Sequence, residues 1–185
     1  MFNQRGLGPV VATALLVLIT IAAAVIILRF AVPFVKNTLN DGSECFNYRD
    51  YFVFEENYGL NCYIITNSPY EADFYINIGA KTTNPKIESK VAGFKLLLKA
   101  GDNLQPVEVL DGAQAANNEG AIRMYDASET VISIPKGGES RSYIYNGPAI
   151  NYIYKNVEIY PILKSGKLCE ISDSARMDVP CGNLN

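Results

Sequence analysis

Residues 7 to 28 of this 185-residue chain form an apolar run that contains no charged side chain. A helix of this length can cross a hydrocarbon core of about 30 Å. The run is longer than the core of a secretory signal, which has about 7 to 15 residues, and no small-residue cleavage site with a polar flank follows it. Three interpretations compete: a signal that is removed, an anchor that stays in the membrane, or a helix that leaves the membrane for an assembly.

The apolar pattern continues beyond the run, as far as residue 35. We predict a helix over residues 9 to 39, which at 1.5 Å per residue is roughly 45 Å long and exceeds one bilayer. Pro33 either kinks this helix or ends it, and both alternatives remain open at this point. The sequence Asn40-Asp41-Gly42 predicts the end of the helix.

From Phe46 onward the hydrophobic pattern changes to the two-residue period of β-strands. Twelve Tyr and no Trp suit sheets that are buried on one face and wet on the other. We therefore predict the α+β class, with a long N-terminal hydrophobic α-helix followed by an all-β immunoglobulin-like sandwich. Short β-branched and aromatic segments between turn residues give the predicted strands, which are 51–54, 62–67, 74–79, 93–100, 122–125, 130–135, 140–146 and 157–164.

Composition argues against several classes of function. The net charge is −3 and the basic residues are scattered, so we expect no nucleic acid partner. The chain has no His, the commonest general base and metal ligand, so we expect no enzyme activity, no cofactor and no metal site. Carboxylates in the acidic loops are more typical of solvated side chains than of calcium ligands. The tyrosines of residues 143 to 156 favour a core role over an adhesive face.

Four cysteines, Cys45, Cys62, Cys169 and Cys181, all follow the apolar run. An even number behind an export or membrane segment predicts disulfides in an oxidising compartment. A zinc site is disfavoured because there is no CxxC pair. Three connectivities are possible, and we favour the local pairs Cys45 with Cys62 and Cys169 with Cys181. Each short loop would restrict the unfolded chain by roughly 3 kcal/mol.

The junction Arg5-Gly6-Leu7-Gly8-Pro9 places a basic residue and a glycine before the apolar run rather than after it. This arrangement resembles the class III signal peptide of archaeal type IV pilins and archaellins. The resemblance implies that a membrane-bound aspartic peptidase cuts after Gly6, so that the mature chain begins at Leu7. Pro9 suits the first turn of a helix, where a backbone donor is unpaired anyway. The glutamate of bacterial pilins is replaced here by Val11, as is common in the archaeal branch.

The resemblance also implies a domain organisation and partners. Residues 1–6 are the leader, 7–40 the transmembrane and assembly helix, and 41–185 the extracellular β-sandwich. The precursor lies in the cytoplasmic membrane with its C-terminal domain outside, and the processed chain joins a cell-surface filament through self-association. A prepilin-peptidase-like enzyme and an assembly machinery act on it. The residues expected to pack in the filament are Ala12, Leu15, Leu16, Ile19, Ala22, Ala23 and Ile26.

One alternative from a different class stays open. The chain is then an unprocessed, single-span anchor that carries an immunoglobulin-like binding or adhesion domain. A third hypothesis, an anchored or secreted enzyme, has no sequence feature in its favour.

Overall fold

The computed structural model describes residues 8–56, 59–66, 71–81, 83–148 and 153–182, and the side chains of 9, 10 and 37–43 are not part of that description. The chain divides into two compact units, residues 1–44 and residues 45–185. The first contains most of a long helix, and the second contains the β-strands.

Helix α1 spans Pro9–Phe46 and has 38 residues. Pro33 lies inside it, so the alternative in which the helix ends at this proline is wrong. The predicted end at Asn40-Asp41-Gly42 is also wrong, because the helix continues through these residues. Relative to alanine, Asn, Asp and Gly each destabilise a helix by only about 1 kcal/mol or less. This cost is too small to end a long helix by itself.

The described part of the second unit contains nine strands and one short helix, and seven of the eight predicted segments overlap a strand. The exception is 130–135, which forms no strand: its backbone bonds to residues 112–115 around an isolated bridge between Val131 and Gln114. Two strands, β5 and β9, were not predicted. The elements are β1 (Phe52–Phe54), β2 (Cys62–Ile65), β3 (Ala72–Ala80), α2 (Pro85–Glu88), β4 (Val91–Ala100), β5 (Asn103–Leu110), β6 (Ile122–Met124), β7 (Ser140–Asn146), β8 (Asn156–Leu163) and β9 (Asp173–Arg176).

The strands form two antiparallel sheets. One has the order β1-β3-β7-β6, with β2 also paired to β3, and the other has the order β5-β4-β8-β9. The sheets pack face to face, since Phe94 of the second contacts two rings of the first. Its ring centroid lies 5.1 Å from that of Phe52 and 5.5 Å from that of Tyr143. The unit is therefore a sandwich with one aromatic and aliphatic core.

Strands β1 and β2 lie end to end along the same edge of β3. Strand β1 pairs with residues 78–80 of β3, and β2 pairs with residues 72–75. Asn61 occupies the joint between them with a positive φ of 71°. Its Nδ2 donates to the Glu55 carbonyl at 3.1 Å, and its Oδ1 accepts from the Asn77 backbone N–H at 3.0 Å. The asparagine thus replaces the strand pairing that is lost where β1 stops.

The cysteines form disulfides, but the predicted local pairing is wrong. Cys45 is bonded to Cys169, and Cys62 is bonded to Cys181. The Cα atoms of the two pairs are 5.2 and 4.9 Å apart, which suits a disulfide. Spatial proximity is set by the sheets rather than by sequence separation, and each bond joins the first part of the unit to its C-terminal part.

Candidate functional site

The segment Val11–Lys36 of α1 is long and apolar enough to cross a membrane. An 18-residue window of this segment has a mean hydropathy of 3.0, and none of the 26 residues is buried. At 1.5 Å per residue the segment is about 39 Å long, against a hydrocarbon core of about 30 Å. It is apolar around its whole circumference, as expected for a helix that contacts lipid or other helices. Length and composition fit a membrane anchor or a signal sequence.

The predicted packing residues lie together on α1. Their spacings of three and four residues place them in one stripe along the helix. Large side chains alternate with alanines in that stripe, and Leu16 and Ile19 are 65 and 66% exposed. We call these residues the assembly stripe: Ala12, Leu15, Leu16, Ile19, Ala22, Ala23 and Ile26.

The processing residues lie at the beginning of the chain. Arg5, Gly6 and Leu7 are outside the described residues, so their placement stays a prediction. Pro9 is the first residue of α1, the position that tolerates proline best. The Gly8 carbonyl accepts the N–H groups of Val11 and Ala12 at 2.9 and 3.2 Å and closes the first turn.

The C-terminal segment covers the outer edge of β2. The Tyr63 N–H donates to the Val179 carbonyl at 3.1 Å, and the Cys181 N–H donates to the Tyr63 carbonyl at 2.9 Å. The bond between Cys62 and Cys181 fixes this addition covalently. A sheet edge that would otherwise invite pairing with another chain is closed in this way.

The free edge of β1 is closed by side chains that sequence analysis missed. The N–H groups of Phe52 and Phe54 donate to Ser172 Oγ at 3.0 Å and to Asp173 Oδ2 at 2.9 Å. Ser172 is 8% exposed. Nothing in the local sequence distinguishes this serine, since its role depends on a strand 120 residues away.

A second surface lies on the outer face of the five-stranded sheet. Asp73 and Tyr75 of β3 face outward there, together with Arg123 of β6 and the following Tyr125. The register places Tyr75, Ile144 and Arg123 side by side across three strands. The Tyr75 and Tyr125 rings meet edge to face with centroids 6.0 Å apart. We call Asp73, Tyr75, Arg123 and Tyr125 the outer cluster.

Burial is the main cause that raises the pKa of the Asp73 carboxyl; the Arg123 charge lowers it and the Glu71 charge raises it further. Burial likewise raises the pKa of Tyr75, with Asp73 adding to the increase. These shifts show that the outer cluster interacts electrostatically. Sequence analysis assigned no role to these residues, because only strand register brings them together.

Two predictions about polar and aromatic residues can be compared with the structure. Tyr143, Tyr145 and Tyr154 are at most 1% exposed, which confirms the core interpretation for these three; Tyr152 of the same segment lies outside the described residues. Within the described ranges, no group of three or more His, Cys, Asp or Glu side chains is arranged to hold a metal ion.

The chain shows little similarity to known proteins. No protein-family model matches the chain, and no curated protein matches it. Among solved structures, it is similar to Astrotactin-2, described as a conserved vertebrate-specific and perforin-like membrane protein involved in neuronal development. The sequence identity is 16% and the TM-score is 0.34. The match covers 63% of this chain but only 20% of the Astrotactin-2 chain.

Proposed function

We propose that the chain is the precursor of a structural subunit of an archaeal type IV pilus-like filament, either pilin-like or archaellin-like. The observation that carries the proposal is the exposed apolar surface of Val11–Lys36, a segment that is longer than a bilayer requires. In this proposal the peptide bond after Gly6 is cut, and the helix then packs against copies of itself. The β-sandwich is an extracellular, immunoglobulin-like domain without catalytic activity.

The energetic argument rests on the change of solvent. Inside a membrane, a leucine-rich helix gains little by exchanging lipid for another helix, so close approach at small residues matters most. Outside the membrane the same side chains would meet water, and each fully buried Leu or Ile then contributes about 1.5 to 3 kcal/mol. The assembly stripe supplies both kinds of contact, with Ala12, Ala22 and Ala23 as its small residues.

Register in the filament has to come from packing. The first turn of α1 contains no acidic residue, and Val11 stands where bacterial pilins carry a glutamate. No ion pair from this position can therefore set the axial position of one helix against the next. Interdigitation of large and small residues along the assembly stripe takes that role.

The disulfides support an extracellular location for the sandwich, since such bonds persist in oxidising compartments. In the proposal the precursor waits in the cytoplasmic membrane, is processed by a prepilin-peptidase-like enzyme and is passed to an assembly machinery. Its main partner is a second copy of itself, and nucleic acid is not a partner.

Processing is tested by the mass of the amino terminus. The full chain is co-expressed with an archaeal prepilin-type peptidase, and membranes are analysed by intact-mass spectrometry. We expect a product that begins at Leu7, and we expect Gly6→Val to block the cut. Gly8→Ala is the matched control, because a Cβ at position 8 meets nothing within 4 Å. Intact chain in the unmodified protein, or cleavage of Gly6→Val, contradicts the proposal.

Assembly is tested separately by electron microscopy of sheared cell surfaces. Ala23→Phe enlarges a small residue in the assembly stripe and is expected to abolish filaments. Ala14→Phe makes the same change outside the stripe and is expected to preserve them. Filaments that survive Ala23→Phe, or are lost equally in both variants, contradict assembly through the stripe. An unprocessed chain that stays in the membrane and forms no filaments favours the alternative of a membrane-anchored binding domain.

A further inference from the structure

The outer cluster borders an open cavity of about 670 Å³. Its lining includes Asp73 and Arg123 of the cluster, Asn146 at the end of β7, and Gln114, Glu129 and Thr130 from the neighbouring loops. A volume of this size is typical of small-molecule sites. The lining is rich in carboxylate, amide, hydroxyl and guanidinium groups, which together offer both donors and acceptors.

Arg123 supplies a positive charge to this cavity. Within the described ranges it makes no ion pair, whereas Arg141 and Arg176 are paired with Glu139 and Asp178. Its charge lowers the pKa of Asp73 without a direct contact between the two. A half-buried guanidinium with free donors beside a carboxylate is arranged to bind a ligand that offers both acceptors and donors.

The two tyrosines lie next to lining residues of the cavity: Tyr125 follows Met124 in the chain, and Tyr75 lies two residues from Asp73 on the same face of β3. Tyr125 is 45% exposed, and its ring packs against the Tyr75 ring in an edge-to-face arrangement. Ile144 lies between Tyr75 and Arg123 in the strand register and is only 4% exposed, so neighbouring side chains cover it. Tyrosine side chains of this kind provide large, rigid contact areas at small entropic cost.

We infer that this surface binds a neutral saccharide. A sugar ring has an apolar C–H face, which matches the Tyr125 ring, and hydroxyl edges that both donate and accept, which match Arg123 and Asp73. The charge of the site disfavours acidic sugars, because Glu129 also lines the cavity and Glu71 and Glu119 line the recess beside it. The inference goes beyond the proposed filament and does not require cleavage or assembly.

Binding is tested with the full chain in lipid nanodiscs, because glycoside detergents would compete for the site. The probes are neutral gluco-, galacto- and manno-oligosaccharides, oligomers of uronic acids, and oligolysine as a cationic competitor class. We expect at least one neutral series to bind and the uronic acids to bind at least tenfold more weakly. No binding of any neutral series, or tighter binding of uronic acids or oligolysine, overturns the inference.

Variants then locate the site. Tyr125→Ala and Arg123→Ala are each expected to weaken binding of the neutral series tenfold or more. Tyr160→Ala and Arg176→Ala change the same residue types on the other sheet and are expected to leave it unchanged. Circular dichroism establishes that each variant is folded. If affinity survives both Tyr125→Ala and Arg123→Ala, or falls equally in the controls, the site lies elsewhere and the inference fails.

Discussion

Ser172 Oγ forms two hydrogen bonds with the backbone of Phe52. It accepts the Phe52 N–H at 3.0 Å and donates to the Phe52 carbonyl at 2.8 Å. Both residues are buried; Phe52 begins β1 of one sheet, and Ser172 immediately precedes β9 of the other. A single hydroxyl thus satisfies the backbone of Phe52 on the side of β1 that does not pair with β3.

We expect Ser172→Ala to lower the free energy of unfolding by about 1 to 3 kcal/mol, because it leaves the buried Phe52 N–H without an acceptor. Urea unfolding of the full chain in nanodiscs, followed by tyrosine fluorescence, measures this. Ser174→Ala is the control, since its side chain is exposed, and it is expected to cost less than about 0.5 kcal/mol. Equal effects of the two substitutions contradict the role given to Ser172.

The long-range disulfides predict a specific peptide map. Digestion without reduction should yield one linked pair that contains Cys45 and Cys169 and another that contains Cys62 and Cys181. Each bond closes more than a hundred residues, so on the loop-entropy model its loss costs about 4 to 5 kcal/mol. The double variant Cys62→Ser, Cys181→Ser is therefore expected to unfold at much lower urea. Recovery of a Cys45 to Cys62 peptide disproves this pairing.

Asn61 combines a backbone role with a side-chain role, and two substitutions separate them. Asn61→Gly keeps the positive φ but leaves the Asn77 N–H unpaired, which is expected to cost about 1 to 3 kcal/mol. Asn61→Ala loses the same contact and adds about 1 to 2 kcal/mol of left-handed backbone strain. The same urea assay measures both, with exposed Asn156→Ala as the control. An alanine variant as stable as the glycine variant refutes the backbone contribution.

Two aspartates predict opposite dependences of stability on pH. Burial raises the pKa of Asp73, so the folded state holds this proton more tightly and the ionised side chain destabilises it. Asp73→Asn is therefore expected to stabilise the protein at pH 7, and the gain should vanish below about pH 4, where both states are protonated. Unfolding free energies from urea titrations at several pH values measure the gain.

Asp178 supplies the contrast. The hydrogen bond from Arg176, 2.6 Å between Nη2 and Oδ2, lowers the pKa of this carboxyl. Its stabilisation is present above the unfolded pKa and is lost as the pH falls through the folded one. Asp178→Asn should therefore destabilise the protein at pH 7 and have a diminishing effect in acid. A common sign for the two aspartate variants at pH 7 is incompatible with this assignment.

Most of the architecture follows from periodicity. The apolar run predicts the helix, and two-residue alternation predicts seven of the nine strands, because both patterns are local. Strand β5 escapes prediction because Pro106 interrupts its pattern, although an edge strand tolerates proline. The segment 130–135 is predicted as a strand because Ile132 and Ile134 alternate toward the core, but most of its length pairs with no other strand.

The sequence by itself therefore determines the helix, the β-rich second unit and the presence of disulfides. Only the tertiary structure decides which cysteines form disulfides and which residues form the outer cluster. It also decides that Ser172 bonds to the free edge of β1 and that Asn61 bonds to β3. The physical reason is that these contacts join residues far apart in the chain, and their distances depend on strand order and register. Local propensity contains no information about either.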